Sequence, residues 1–183
     1  NKEASEIVQG DKTGDKPLSE KVKEYLKKKY NKPGNVFCGV THRLDRPTSG
    51  VLIFAKTSKA LSRLNKMFQE DRVEKEYWAI VQNRPPKQSD TLIHYLVKDN
   101  RRNKSTAFDM PKANAKKAVL HYSLIAESDR YFLLRIEMET GRHHQIRTQL
   151  SKIGSPIKGD LKYGAKRSNP DSSISLHARS VAF

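Results

Sequence analysis

Cysteine is almost absent. Cys38 is the only one in 183 residues, so no disulfide can form within the chain and a cysteine-based structural zinc site is excluded. A reducing, cytoplasmic setting is the resulting expectation. Long hydrophobic runs are also missing. None approaches the roughly 18 apolar residues of a membrane span, and the opening Asn1-Lys2-Glu3-Ala4 is too polar for a signal peptide. Acidic residues are in short supply too: 20 Asp plus Glu face 36 Lys plus Arg, for a net charge of +16 and a pI near 9.9. Such an excess points to a polyanionic partner, nucleic acid first. The histidines (His42, His94, His121, His143, His144 and His177) lack zinc-protease spacing. No metal and no cofactor are expected. The chain starts without Met and stops on Phe183 inside an apolar run, which reads as a fragment trimmed at both ends.

No internal repeat and no change of composition divides the chain, so residues 1–183 are expected to form one domain. Residues 1–17 are polar and broken by Gly10, Gly14 and Pro17. Ser19 is positioned to cap a helix over 20–30, with Val22, Leu26 and Tyr30 on one face. Val36–Val40 reads as a short strand. Val51–Ala55 reads as a buried strand, and Ser58 as the cap of a second helix with a core stripe of Leu61, Leu64, Met67 and Phe68. Strands are expected at 73–81, 91–97, 118–126 and 131–138. Lys98–Lys104 is a basic loop without an apolar anchor, and 109–117 is a second basic connection. Thr140-Gly141 opens a third helix that Gly154-Ser155-Pro156 stops. Residues 157–173 are loop-rich, and Ile174–Phe183 reads as a final strand. The fold class is α+β, with a mixed, largely antiparallel central sheet and flanking helices.

One stretch organises the rest: Thr41-His42-Arg43-Leu44-Asp45-Arg46-Pro47-Thr48-Ser49-Gly50. Asp45 lies between two arginines, and Pro47 and Gly50 stiffen and bend the backbone around it. The bland reading is a surface turn whose Asp pairs with its neighbours. The wording of the loop says more. His42 to Lys56 closely resembles the catalytic signature of the RluA-type pseudouridine synthases, which isomerise chosen uridines in ribosomal or transfer RNA. Glu74-Lys75-Glu76-Tyr77-Trp78-Ala79 resembles the segment bearing that family's active-site tyrosine. Gly141-Arg142-His143-His144-Gln145-Ile146-Arg147 resembles its Gly-Arg-x-His-Gln-Ile-Arg motif, and Ile174-Ser175-Leu176-His177-Ala178 its closing strand. Gln149 stands where the family has His, which is expected to change local packing and leave catalysis intact. Asn1-Lys2 is all that matches the family's Asn-Lys-Pro-Ala-Gly turn. No S4-type RNA-binding domain is included in these residues.

The resemblance implies an isomerase acting on rRNA or tRNA by base flipping, with Asp45, Tyr77 and Arg147 catalytic. Physical demands point the same way. Breaking the bond from ribose to a uracil nitrogen calls for an anionic oxygen near the anomeric carbon, the part given to Asp45. A cation should rest against that carboxylate, and Arg147 is the candidate for direct contact. Tyr77 is expected to stack on the base and Leu176 to wall the pocket. Arg43 is expected to fill the gap left by the flipped base, with His42 shaping the loop. Arg101 and Arg102 are expected to hold RNA phosphates. The protein is expected to be a monomer without membrane contact. Two other readings compete: an inactive RNA-binding or RNA-folding protein on the same fold, and a basic hydrolase using Asp45 as a base.

Overall fold

A computed structural model describes residues 1–11 and 13–183. The chain falls into two compact units, Asn1–Val73 with Phe183, and Glu74–Ala182. Among the described residues no helix is long and apolar enough to cross a membrane.

The first unit holds α1 (Leu18–Lys29), β1 (Gly39–Val40), β2 (Ser49–Gly50), β3 (Phe54–Ala55) and α2 (Ser58–Gln69). Helix α1 begins one residue before Ser19, which is buried in the first turn and is not its cap. The reason is tertiary. The first helical N–H groups, of Leu18 and Ser19, donate to the carbonyls of Ile7 and Val8 at 2.8 and 3.2 Å. A buried segment thus satisfies the groups that a side-chain cap serves elsewhere. Of the expected apolar face only Leu26 is buried; Tyr25 and Tyr30 stand exposed. Thr57, not Ser58, caps α2, its Oγ1 accepting the Ala60 N–H at 3.1 Å. The stripe Leu61, Leu64, Met67 and Phe68 is half-buried, and no residue of α2 is fully so.

The expected buried strand over 51–55 is corrected to two short pairings, β2 and β3, with Val51–Ile53 between them. Side chains of the preceding loop take up the backbone there. His42 Nε2 accepts the Ile53 N–H at 3.1 Å, and Thr41 Oγ1 donates to the Ile53 carbonyl at 2.7 Å. Likewise only Gly39–Val40 of the expected strand 36–40 forms a ladder, with β3. Gly39 packs closely on α2, where a Cβ would lie 2.9 Å from Leu61 Cδ2 and the leucine would have to shift.

The second unit is a sheet with one helix packed on it. Its strands are β4 (Glu74–Val81), β5 (Ser89–Asp99), β6 (Lys104–Phe108), β7 (Lys116–Glu127), β8 (Phe132–Met138) and β9 (Leu176–Ala182). They lie in the order β9-β4-β8-β7-β5-β6, each pair antiparallel. The α+β class and the largely antiparallel sheet are as expected. The core forms on one face, where Ala79, Val81, Leu120, Leu134 and Ile136 meet Ile146 and Leu150 of α3 (Gln145–Lys152).

Two expectations fail here. Strand β6 is absent from the sequence reading, because its inward residues, Ser105 and Ala107, are small and carry no hydrophobic alternation. Helix α3 starts at Gln145, not at Thr140-Gly141. The Gln145 side chain turns back, accepting the Arg142 N–H at 2.9 Å and donating to the Val119 carbonyl at 3.0 Å. That holds 141–144 as a loop, with His144 left-handed at φ 53°.

Candidate active site

In the first unit the signature loop is clasped from behind by Lys2. This lysine has no exposed surface. Its ammonium donates to the carbonyls of Thr48 at 2.7 Å, Glu3 at 2.9 Å and Arg46 at 3.1 Å, which uses all three of its protons. Its backbone closes a two-way bridge with Gly50, at 2.7 and 2.9 Å. Within the loop the Thr48 N–H donates to the Asp45 carbonyl at 3.0 Å, forming a turn, and Leu44 is buried as its apolar anchor. Asp45 is left half-buried and Arg43 exposed. His42 is fixed twice, by the Ile53 N–H and by stacking on Phe68 of α2 with ring centres 5.0 Å apart.

Burial lowers the Lys2 pKa to about 8; the Glu6 and Asp45 charges oppose that shift and the Arg46 charge adds to it. Lys2 therefore places positive charge in the field of Asp45 while pinning the backbone that carries it. Sequence reasoning noted Lys2 only as a remnant of a turn.

In the second unit Tyr77 and Leu176 lie on the sheet face against which α3, the helix that carries Arg147, packs. Tyr77 sits two residues before buried Ala79 and is itself half-buried against the core. The β4–β9 register shifts beside it: Glu76 pairs with Ser180, but Tyr77 with Ala178, so the extra residue is Arg179 and the bulge belongs to β9. Leu176 pairs with Ala79 and is buried in the core.

Arg147 is buried on α3 and forms a two-pronged pair with Asp160, Nε to Oδ2 at 2.7 Å and Nη2 to Oδ1 at 2.9 Å. Its guanidinium also lies 4.9 Å from the centre of the Tyr163 ring. Tyr163 is fixed in turn. Its hydroxyl accepts the Ser105 N–H at 2.8 Å and meets His144 Nδ1 at 2.8 Å. Burial pushes the Tyr163 phenol above its ordinary pKa, so it stays neutral. Asp160 and Tyr163 lie in and beside a single 3-10 turn, Leu161–Tyr163. Gly159 permits the approach: φ is +89°, and a Cβ there would lie 2.7 Å from the Ser173 carbonyl oxygen. The sequence reading left this whole stretch as loop. Its only signal was an Asp and a Tyr bracketed by Gly159 and Gly164.

Arg101 and Arg102 stand exposed at the tip of the β5–β6 hairpin. The expected unanchored loop is instead an ordered turn. Asp99 Oδ1 accepts the N–H groups of Arg101 and Arg102 at 2.9 and 3.1 Å. Asn103 ties the tip down through His143 Nε2 at 3.0 Å and Lys162 Nζ at 3.1 Å. Gln149 is fully buried; its amide donates to the Leu92 carbonyl and to His94 Nδ1, both at 3.0 Å. It is a core packing residue.

The described residues thus combine a strongly basic α+β chain, a braced carboxylate loop and a buried arginine. The family model described as RNA pseudouridylate synthase matches residues 1–152, and the chain belongs to that family. It is 36% identical over 160 residues to tRNA pseudouridine synthase C of Haemophilus ducreyi, covering 78% of this chain and 65% of that one. It is 36% identical over 144 residues to ribosomal large subunit pseudouridine synthase C of Rickettsia prowazekii, covering 78% and 47%. The chain therefore spans about half to two thirds of the length of these curated relatives. The solved structure of human RNA pseudouridylate synthase domain containing 4 shares the fold, with a TM-score of 0.82, 22% identity, and coverage of 98% of this chain and 78% of that one.

Proposed function

We propose that this protein is an RNA pseudouridine synthase acting on uridines of rRNA or tRNA. The observation that carries the reading is the family match over residues 1–152, which takes in Asp45, Tyr77 and Arg147 in their motifs. In the reaction the bond from ribose C1′ to uracil N1 breaks, the base turns, and C1′ bonds to C5. The hydrogen on C5 leaves as a proton and N1 takes one up, so the product is an isomer and no oxidant is consumed.

Asp45 supplies the carboxylate at C1′, as nucleophile or as stabiliser of developing positive charge. Arg147 supplies the countercharge, its guanidinium plane held by Asp160 and the Tyr163 ring. Tyr77 stacks on the uracil, and Leu176 walls the base. A base must leave the stack to be reached, and exposed Arg43 suits the part of filling the gap. His42 holds the loop to Ile53 and Phe68.

The test is tritium release from RNA labelled at C5 of uridine. Wild-type protein is expected to release it. Asp45→Asn, similar in shape but uncharged, is expected to release none while binding RNA with nearly unchanged affinity. Appreciable turnover by pure Asp45→Asn protein would remove Asp45 from this role. RNA binding without tritium release by the wild type would favour the inactive RNA-binding reading.

A further inference from the structure

Helix α1 is electrically lopsided. Its first half is neutralised: Lys16 pairs with Glu24, Lys21 with Glu6, and Lys23 with Glu20. Its last turn is Lys27, Lys28 and Lys29, followed by Lys32, and among the described residues none of these four forms an ion pair. One cation near a helix C-terminus complements the helix dipole, an effect confined to the last turn. Lys32 lies outside that turn. So does Lys56, which follows β3 and is carried to the same place by the fold.

Two tyrosines sit among these charges, Tyr25 59% exposed and Tyr30 48%. The Lys29 ammonium lies 5.3 Å from the Tyr25 ring centre and 5.8 Å from that of Tyr30. Lys56 approaches the Tyr30 ring to 5.4 Å and its hydroxyl to 3.5 Å. Exposed rings interleaved with cations are what a single nucleic-acid strand uses: ammonium groups for the phosphates, ring faces for unstacked bases. A duplex hides its base faces and would use the lysines alone.

We propose that the C-terminal end of α1, with Tyr25, Tyr30, Lys27, Lys28, Lys29, Lys32 and Lys56, is a binding site for a single-stranded stretch of the substrate RNA. This rests on the proposed RNA substrate and adds a site separate from the signature loop. It gives the protein a sequence-tolerant hold, because every base has a face to stack.

The experiment measures binding of a short fluorescent oligoadenylate across a salt series. That probe has no uridine, so its outcome is independent of the isomerase reading, which tritium release tests by itself. Tyr25→Leu with Tyr30→Leu is expected to weaken binding about tenfold with an unchanged salt slope, and Tyr25→Phe with Tyr30→Phe to restore it. Lys27→Gln, Lys28→Gln and Lys29→Gln together are expected to flatten the log–log salt slope by up to about 2, at about 0.7 per lost contact. All five side chains are exposed, so the variants should keep the wild-type unfolding midpoint. Unchanged affinity in the leucine variant, or equal weakening toward duplex RNA, would overturn the single-strand site. An unchanged salt slope in the glutamine variant would return the lysines to a solvated face.

Discussion

Two side chains decide how firmly the reactive groups are held. Asp160 faces Arg147 in a buried, bidentate pair. Asp160→Ala leaves the guanidinium without that partner in a low-dielectric setting, which costs about 3–5 kcal/mol. Urea unfolding should record the loss, and tritium release should fall as well, since the arginine plane is no longer fixed. Lys2 makes a pH-dependent contribution whose sign follows from its depressed pKa. Folded Lys2 releases its proton near pH 8, and an unfolded lysine near 10.5. Below pH 8 both states are protonated and the contribution is flat. Between these values the unfolded chain holds more protons, so raising the pH favours the fold by up to about 3 kcal/mol. Lys2→Met should remove this rise from denaturation curves taken between pH 7.5 and about 10.5. The neutral amine has two donors for three carbonyls; Arg46, whose carbonyl also accepts the Ser5 N–H at 2.9 Å, can best spare one.

The β5–β6 hairpin is the element whose role is most open to measurement. Its tip presents Arg101 and Arg102 from an ordered turn, tied through Asn103 and through Lys104, whose ammonium lies 5.2 Å from the Tyr163 ring centre. The hairpin thus leans on the same tyrosine that flanks Arg147. Preordered arginines bind phosphate at lower entropic cost than a floppy loop does. Arg101→Ala with Arg102→Ala is expected to flatten the salt slope of RNA affinity by up to about 1.4, two contacts at about 0.7 each. It should raise the RNA concentration for half-maximal rate and spare the single-turnover rate at saturation. Arg43→Ala should do the reverse, slowing turnover at saturating RNA, because the flipped state loses its filler.

Across the whole molecule, a net charge of +16 predicts that the proposed RNA affinity depends strongly on ionic strength. A titration from 50 to 200 mM salt should give a steep linear log–log plot. The chain has two cationic stations by this account, the α1 end in the first unit and the β5–β6 tip in the second. Combining the Lys27, Lys28 and Lys29 substitutions with those of Arg101 and Arg102 should lower the slope by the sum of the separate effects, since sites that share no partners add.

The sequence by itself determined the α+β class, most of the long strands and the identity of the motif residues. Those depend on short-range signals: the aromatic and branched residues of β4, the polar turn between β7 and β8, and the unbroken wording around Asp45. Tertiary structure decided what has no local signal. Helix α1 starts at Leu18 because Ile7 and Val8 cap it with backbone carbonyls, which no side-chain pattern announces. Val51–Ile53 leaves the ladder because His42 and Thr41 take its polar groups. Strand β6 pairs through a backbone whose inward side chains are too small to mark it. Lys2 and Asp160 looked like ordinary charged residues in polar segments. They matter because folding removes them from water, and a buried charge must find partners where an exposed one need not.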